Sequence, residues 1–392
     1  MNLLPENAEQ DRLRLLFLAC DFPPAFGGIQ KLSHGLCRAL SAHGHDVRVI
    51  ASAQPHDETV DSASGIPTLR CRAPNRVLAA VNAARAARGL LRSGWTPHAI
   101  VATKWSPEGQ AYQLSGPGRR LPLVLMGHGR EFLPEPHRRV RAWAQRAVIG
   151  SARGAIVCSG FTASQMALAG MDPERVRVVH PGVDPEEFAP PEALAAARAR
   201  LDWPDGPTLL TVARLVRRKG VDTVIEALPE IAKAVPDVAY VVIGGGLERE
   251  RLIALAQARG VRERVRMLGS VSDEDKAAAL HLCDVFTMPS RDIASEPPEG
   301  FGIVYLEANL CGKPVIGANT GGVAEAIEDG VSGLLVAPDA PDQLAAAATR
   351  LLSDLTRAKS LGESGRRRAV DCFSWRVIAS AYATAVRELI RV

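Results

Sequence analysis

Short apolar runs of strand length alternate with amphipathic stretches of helix length along this chain, and that alternation sets the fold class before any motif is considered. The runs LRLLFLA, DVRVIAS, HAIVATK, LPLVLMG and GAIVCS are separated by stretches such as GGIQKLSHGLCRALSAHG. Beyond a proline-rich stretch from Pro181 to Pro191 the pattern restarts with PTLLTVAR, VAYVVIGGG, RVRMLGS, DVFTMPS, KPVIGAN and SGLLVAP. Near-continuous apolar strands alternating with helices predict parallel sheets covered on both faces. Two such series predict two doubly wound α/β domains, residues 13–184 and 185–374, behind a frayed tail of residues 1–12.

The 392 residues, 47% hydrophobic and 23% charged, suffice for two separate cores. Seven cysteines, odd in number and never spaced Cys-x-x-Cys, indicate neither a disulfide framework nor a zinc site, which suits a reducing, cytoplasmic setting. No apolar run reaches membrane-spanning length, and the first residues carry no basic segment followed by an apolar one. The formal charge of +4 gives no ground for a nucleic-acid partner, but it is unevenly spread. Residues 1–185 hold 22 Lys+Arg against 14 Asp+Glu, about +8, leaving about −4 for the remainder. The first half should therefore prefer an anionic partner, and anionic lipid at a membrane's inner face is one.

The stretch EGFGIVYLE places Glu299 and Glu307 eight residues apart around two glycines. In one continuous helix the pair would lie about 80° apart, a poor shared face. Gly300 and Gly302 instead suggest a loop bearing Glu299 and Phe301, then a helix starting near Ile303 with Glu307 in its second turn. Both carboxylates would then approach one ligand at a helix N-terminus. In VARLVRRKGVD, Arg214 and Lys219 follow a strand, where open α/β sheets bind ligands, and two cations of different reach suit a diphosphate. Arg217 and Arg218 between them read as solvated surface. Gly27 and Gly28 open a helix after the first strand, so backbone can approach an anion there. His128 sits between glycines at another strand end. The acids of SDEDK, Asp273 and Asp275, read as helix-start residues capped by Ser272 rather than as metal ligands. Neither a P-loop nor a Gly-x-Ser-x-Gly elbow occurs.

The segments GGIQ, VARLVRRKGVD, RVRMLGSV, EGFGIVYLEANLCGKPVIGANTGGVAEAIEDGVSGLLV and FSWRVIASAY together resemble family 4 retaining glycosyltransferases of the GT-B fold. DFPPAFGGIQ is similar to the corresponding stretch of bacterial GDP-mannose-dependent phosphatidylinositol mannosyltransferases. Those enzymes tend to read His-Gly-His-Glu where this chain reads GHGRE. The resemblance implies two Rossmann-like domains facing across a cleft, with a helix over residues 375–392 crossing back to complete the first. It implies a nucleotide diphosphate sugar as donor, bound without a divalent metal or cofactor. Glu307 would take the ribose hydroxyls and Glu299 the sugar hydroxyls. The backbone amides from Phe301 to Ile303 would face the diphosphate with Arg214 and Lys219, Gly300 and Gly302 would let that backbone approach the sugar, and Met267, Leu268 and Gly269 would lie near the base. His128 would line the sugar pocket, with Gly27 and Gly28 near diphosphate and acceptor. A UDP-sugar enzyme with a soluble acceptor and a sugar-nucleotide epimerase are the alternatives.

One further stretch, PHRRVRAWAQRAVIGSARG, has an apolar stripe of Val140, Trp143, Ala144 and Val148 flanked by Arg138, Arg139, Arg141, Arg146 and Arg153 without an acid. Packing of the stripe into the domain is one outcome, and docking to an anionic membrane that carries a lipid-linked acceptor is the other.

Overall fold

The computed structural model describes residues 12–25, 27–129, 132, 139–188, 194–293, 296 and 298–391. The first eleven residues of the expected tail, Arg138, and the linker residues 189–191 lie outside them. The chain divides into two compact units. Unit 1 comprises the described residues up to Gly182 and those from Trp375 on; unit 2 is Val183–Ser374.

Unit 1 is built on β1 (Arg14–Leu18), β2 (Asp46–Ser52), β3 (Thr68–Cys71), β4 (Ala99–Ala102), β5 (Leu123–Gly127), β6 (Gly154–Val157) and β7 (Val176–Val178). These form one parallel sheet ordered β3-β2-β1-β4-β5-β6-β7. Strand geometry sends alternate side chains to opposite faces. Leu15 and Phe17 accordingly join one buried layer with the helix Gly28–Ala42, while Leu16 and Leu18 join another beneath the helix Arg76–Arg92. That second helix presents Ala79, Ala80, Ala83, Ala84 and Ala87 inward, small enough for close approach. The C-terminal helix Trp375–Ile390 belongs to the first layer, where Tyr382 stacks on Phe17 with ring centroids 6.4 Å apart.

Unit 2 repeats the plan with β8 (Thr208–Val212), β9 (Ala239–Ile243), β10 (Val265–Gly269), β11 (Val285–Met288), β12 (Val315–Ala318) and β13 (Gly333–Val336). They form a parallel sheet ordered β10-β9-β8-β11-β12-β13. Its core packs the helices Val221–Ala234 and Pro341–Ser353 on the sheet through Val224, Leu228, Leu344 and Leu351. The unit's ends meet, for the Val183 amide donates to Phe373 O at 2.8 Å.

In each sheet the strand order reverses once, between β1 and β4 and between β8 and β11. Loops leaving the carboxyl ends of such a pair diverge to opposite faces and open a crevice, which is where doubly wound sheets take ligands.

Candidate active site

At the reversal in unit 2, the loop leaving β8 is held by its neighbours. Leu215 is buried, and its amide donates to Gly245 O at 2.9 Å. Gly220, with φ 69°, closes the short turn Arg217–Lys219; a Cβ there would lie 2.0 Å from Pro289 O, so this turn presses on the backbone leaving β11. The contact brings Lys219 and Arg218 to Glu299. Lys219 Nζ donates to Glu299 Oε2 at 2.5 Å and Arg218 Nη1 donates to the same oxygen at 3.0 Å. All three side chains are 11 to 14% exposed. Burial pushes Lys219 below the ordinary lysine value, with Glu299 pulling it back up. Burial would raise Glu299, but the charges of Lys219 and Arg218 outweigh it and hold the carboxyl below its ordinary value.

The backbone of Glu299 is equally fixed. Its carbonyl accepts the Gly322 amide at 2.9 Å from the loop after β12. Gly302 then takes φ 92°, and a Cβ there would meet the Tyr305 ring at 2.5 Å. Tyr305 is wholly buried; its hydroxyl donates to Met288 O and its ring meets Phe286 edge-on at 5.8 Å. These contacts set the start of the helix Ile303–Leu310, whose N-terminus has no side-chain cap and lies beside a cationic cluster. Glu307 is on that helix and receives both oxygens' hydrogen bonds from Lys276 Nζ, at 2.9 and 3.0 Å. Burial opposes charge on Lys276, but Glu307 outweighs it and raises the lysine above its ordinary value.

Counting charge around the turn, Arg218 and Lys219 face Glu299 and, 3.9 Å from Arg218, Glu296, and the charge of Arg214 acts on Lys219. Arg214 is exposed and makes no ion pair with a described residue. One positive charge is left for an anionic ligand.

The reversal in unit 1 lies between the loops after β1 and β4. Gly27 has φ 148° and caps the helix Gly28–Ala42; Gly27 and Gly28 are both exposed. Lys104, after β4, forms an ion pair with Asp21, after β1. His128 follows β5 directly, half-buried, with Nε2 3.1 Å from Thr103 O. Its expected neighbours Arg130 and Glu131 lie outside the described residues.

Two family profiles divide the chain as its two halves do: "Glycosyltransferase Family 4" matches residues 26–187 and "Glycosyl transferases group 1" matches residues 195–368. A Mycolicibacterium smegmatis protein, "GDP-mannose-dependent alpha-(1-6)-phosphatidylinositol monomannoside mannosyltransferase", is 34% identical over 92% of this chain and 95% of its own length. The chain is a family 4 glycosyltransferase. Another relative of this glycosyltransferase, "D-inositol 3-phosphate glycosyltransferase" of Xylanimonas cellulosilytica, is 32% identical over 92% of this chain and 93% of its own. Its fold is GT-B. The crystal structure of Anabaena Alr3699/HepE in complex with UDP-glucose shares it, with a TM-score of 0.76 at 22% identity over 96% of this chain and 100% of that one.

The glycosyltransferase's residues do not all stand where the sequence puts them. Lys219 and Glu299 meet directly, and the helix does begin at Ile303. Arg218 is not solvated surface: the tight turn at Gly220 swings it inward beside Lys219, while Arg217 stays exposed near Glu248 at 3.6 Å. Lys276 went unnoticed because it follows three acids that read as a helix start. Those acids do begin a helix, with the Asp275 amide donating to Ser272 Oγ at 3.0 Å and Asp275 paired with Arg200 at 2.5 Å. Lys276, one turn further on, faces Glu307. Met267, Leu268 and Gly269 end β10, at the sheet's edge and two strands from β8. Among the described residues no group of three or more His, Cys, Asp or Glu side chains is arranged to hold a metal ion.

Proposed function

We propose that this glycosyltransferase is a retaining α-mannosyltransferase that moves mannose from GDP-mannose to a lipid-linked acceptor of the phosphoinositide class, at the cytoplasmic face of a membrane. The observation that carries the transfer chemistry is the Arg218–Lys219–Glu299 cluster at the end of β8, with Arg214 left over for an anion. A leaving nucleotide diphosphate gains negative charge as its bond to the sugar breaks. Cations fixed beforehand, together with helix amides, stabilise that charge without reorganising. No divalent metal is required in this reading, and activity should persist in EDTA.

Glu299, tied at one oxygen by Lys219 and Arg218, keeps acceptor capacity for sugar hydroxyls, and Glu307 keeps it for the ribose. The bond from the anomeric carbon to the diphosphate oxygen breaks, and the acceptor oxygen bonds the same face of that carbon. The acceptor's proton passes to the departing phosphate oxygen. His128, with Gly27 and Gly28, serves the sugar and acceptor from unit 1.

The sugar and the acceptor rest on the mannosyltransferase named above. The inositol phosphate glycosyltransferase relative and the UDP-glucose complex favour a second reading, a different nucleotide sugar with a soluble acceptor. A thermal-shift series against GDP-mannose, UDP-glucose, UDP-N-acetylglucosamine and UDP-galactose separates the two. Stabilisation that grows with GDP-mannose concentration supports the first reading by mass action, and a response confined to a UDP-sugar replaces it with the second.

A further inference from the structure

Glu108 lies in the segment after β4 and is wholly buried, yet only half its hydrogen-bonding capacity is used. Oε1 accepts the Cys20 amide at 3.1 Å, and Oε2 has no hydrogen-bond partner among the described residues. Cys20 is the root of the loop that begins with Asp21–Ala25 at the sheet reversal. Beyond that root the loop is pinned by buried Phe22 and by Arg70, whose Nη2 donates to Pro23 O at 2.6 Å. Lys104 joins the same groups from the other side through its ion pair with Asp21. A buried carboxyl with an orphan oxygen is costly, and an amide or an apolar residue would fill the place at lower cost.

We infer that Glu108 is a positioning residue for the acceptor side of the reaction: its carboxylate, through the Cys20 amide and the Lys104–Asp21 pair, holds the loop residues Asp21–Ala25 in the form that binds acceptor. This rests on the assignment of the acceptor to unit 1. Burial pushes the carboxyl up to about 7, with Lys104 pulling it down and Asp21 adding to the rise, so the loop's hold changes within the working pH range. The bond from Cys20 N–H and the charge of Lys104 both favour the ionised carboxylate, so while Glu108 stays buried its hold on the loop, and with it acceptor binding, strengthens as pH rises even though ionising the buried group costs the fold as a whole. The other titratable groups here are the Cys20 and Cys71 thiols, both raised by burial, and, across Phe22, His34, which burial lowers. Arg70 and its partner Asp61 flank the same loop, and Arg141 stacks 5.2 Å from the Trp105 ring on the far side.

Glu108→Gln keeps the shape and an oxygen for Cys20 N–H while removing the titration. Two measurements between pH 5.5 and 8.5 test the inference. In the first, hydrogen exchange of the peptide covering residues 19–28, corrected for intrinsic rates, should show protection rising with pH in the wild type and constant in the variant. In the second, the wild-type KM for a phosphatidylinositol mannoside acceptor should fall about fivefold across pH 7, the difference between a charge-assisted and a neutral hydrogen bond. The variant should lack that limb while its donor KM follows the wild type's. A residual limb in the variant is assigned to His34 and leaves Glu108 supported only if it is smaller than the wild type's. Exchange that is insensitive to pH in the wild type, or equal limbs in both proteins, overturns the inference. Absence of any transfer to the lipid acceptor overturns the functional reading instead, and the exchange experiment still decides whether Glu108 holds the loop.

Discussion

At the scale of single residues, the donor side separates into ground-state and transition-state contacts. In the proposed reading Glu307, held by Lys276, would face a ribose that does not change during reaction, so Glu307→Ala should raise the donor KM with little change in kcat. In the same reading Lys219 would face charge that grows as the bond breaks, so Lys219→Ala should lower kcat by roughly 100-fold. Steady-state kinetics on both variants check the split, and an unchanged donor KM for Glu307→Ala removes that residue from the site. Glu108 gives a stability prediction with a definite sign. Its carboxyl is raised by burial from the ordinary 4.5 to about 7, so the unfolded chain loses the proton first. Stability from this group is complete below pH 4.5, is lost as pH rises to about 7, and amounts to on the order of 3 kcal/mol. Glu108→Gln removes the loss, so its Tm should exceed the wild type's at pH 8 by several degrees more than at pH 5. Equal differences at the two pH values would contradict a buried, raised carboxyl.

At the scale of elements, the helix Arg139–Ser151 shows how a stripe is divided by its neighbours. Val148 and Ile149 are buried in unit 1, whereas Val140 and Trp143 are 81% and 72% exposed. The expected single stripe is therefore two: its C-terminal part packs inward and its N-terminal part faces solvent beside exposed Arg139 and Arg146. Arg138, the first arginine of the expected docking face, lies outside the described residues. An aromatic and an aliphatic side chain beside cations suit the interface of an anionic membrane, where each cation contributes about 1 kcal/mol. The protein should co-float with phosphatidylglycerol vesicles at low salt, release at high salt, and bind several-fold less as Trp143→Ala. Equal binding to neutral vesicles would leave the soluble acceptor as the better reading. Among the described residues no helix is long and apolar enough to cross a membrane. The glycine at 302 is a different kind of element-level device. Its φ of 92° and the Tyr305 ring leave no room for a side chain, and any other residue there would be strained by about 1–3 kcal/mol.

At the scale of the whole molecule, the charged side chains proposed to hold the nucleotide diphosphate, Arg214, Lys219, Glu299 and Glu307, all belong to unit 2, a continuous stretch whose ends are bonded together. Residues 183–374 produced alone should fold cooperatively and gain Tm with increasing nucleotide diphosphate sugar, though they should transfer nothing. Failure of the isolated unit to respond to a nucleotide that stabilises the whole chain would place a donor contact in unit 1.

The sequence by itself determined the class of fold, because strands buried on both faces must be apolar along their whole length and the connecting helices must be amphipathic. Eleven of the runs it marks contain strands of the two sheets. The two it does not mark, β3 (TLRC) and β7 (VRV), are edge strands of unit 1, short and only partly buried, so nothing requires an apolar run there. The helix after Gly302 was legible too, since glycine is the residue that permits such a turn. Only the tertiary structure decided partners. Arg218 and Arg217 are neighbours of one chemistry, and the packing of Gly220 against Pro289 O alone turns one inward to Glu299 and leaves the other outside. Lys276 finds Glu307 across 31 residues, and Glu108 finds Cys20 across 88. Local spacing carries the period of a helix or strand, but a contact between distant segments exists only once sheet order brings their ends together.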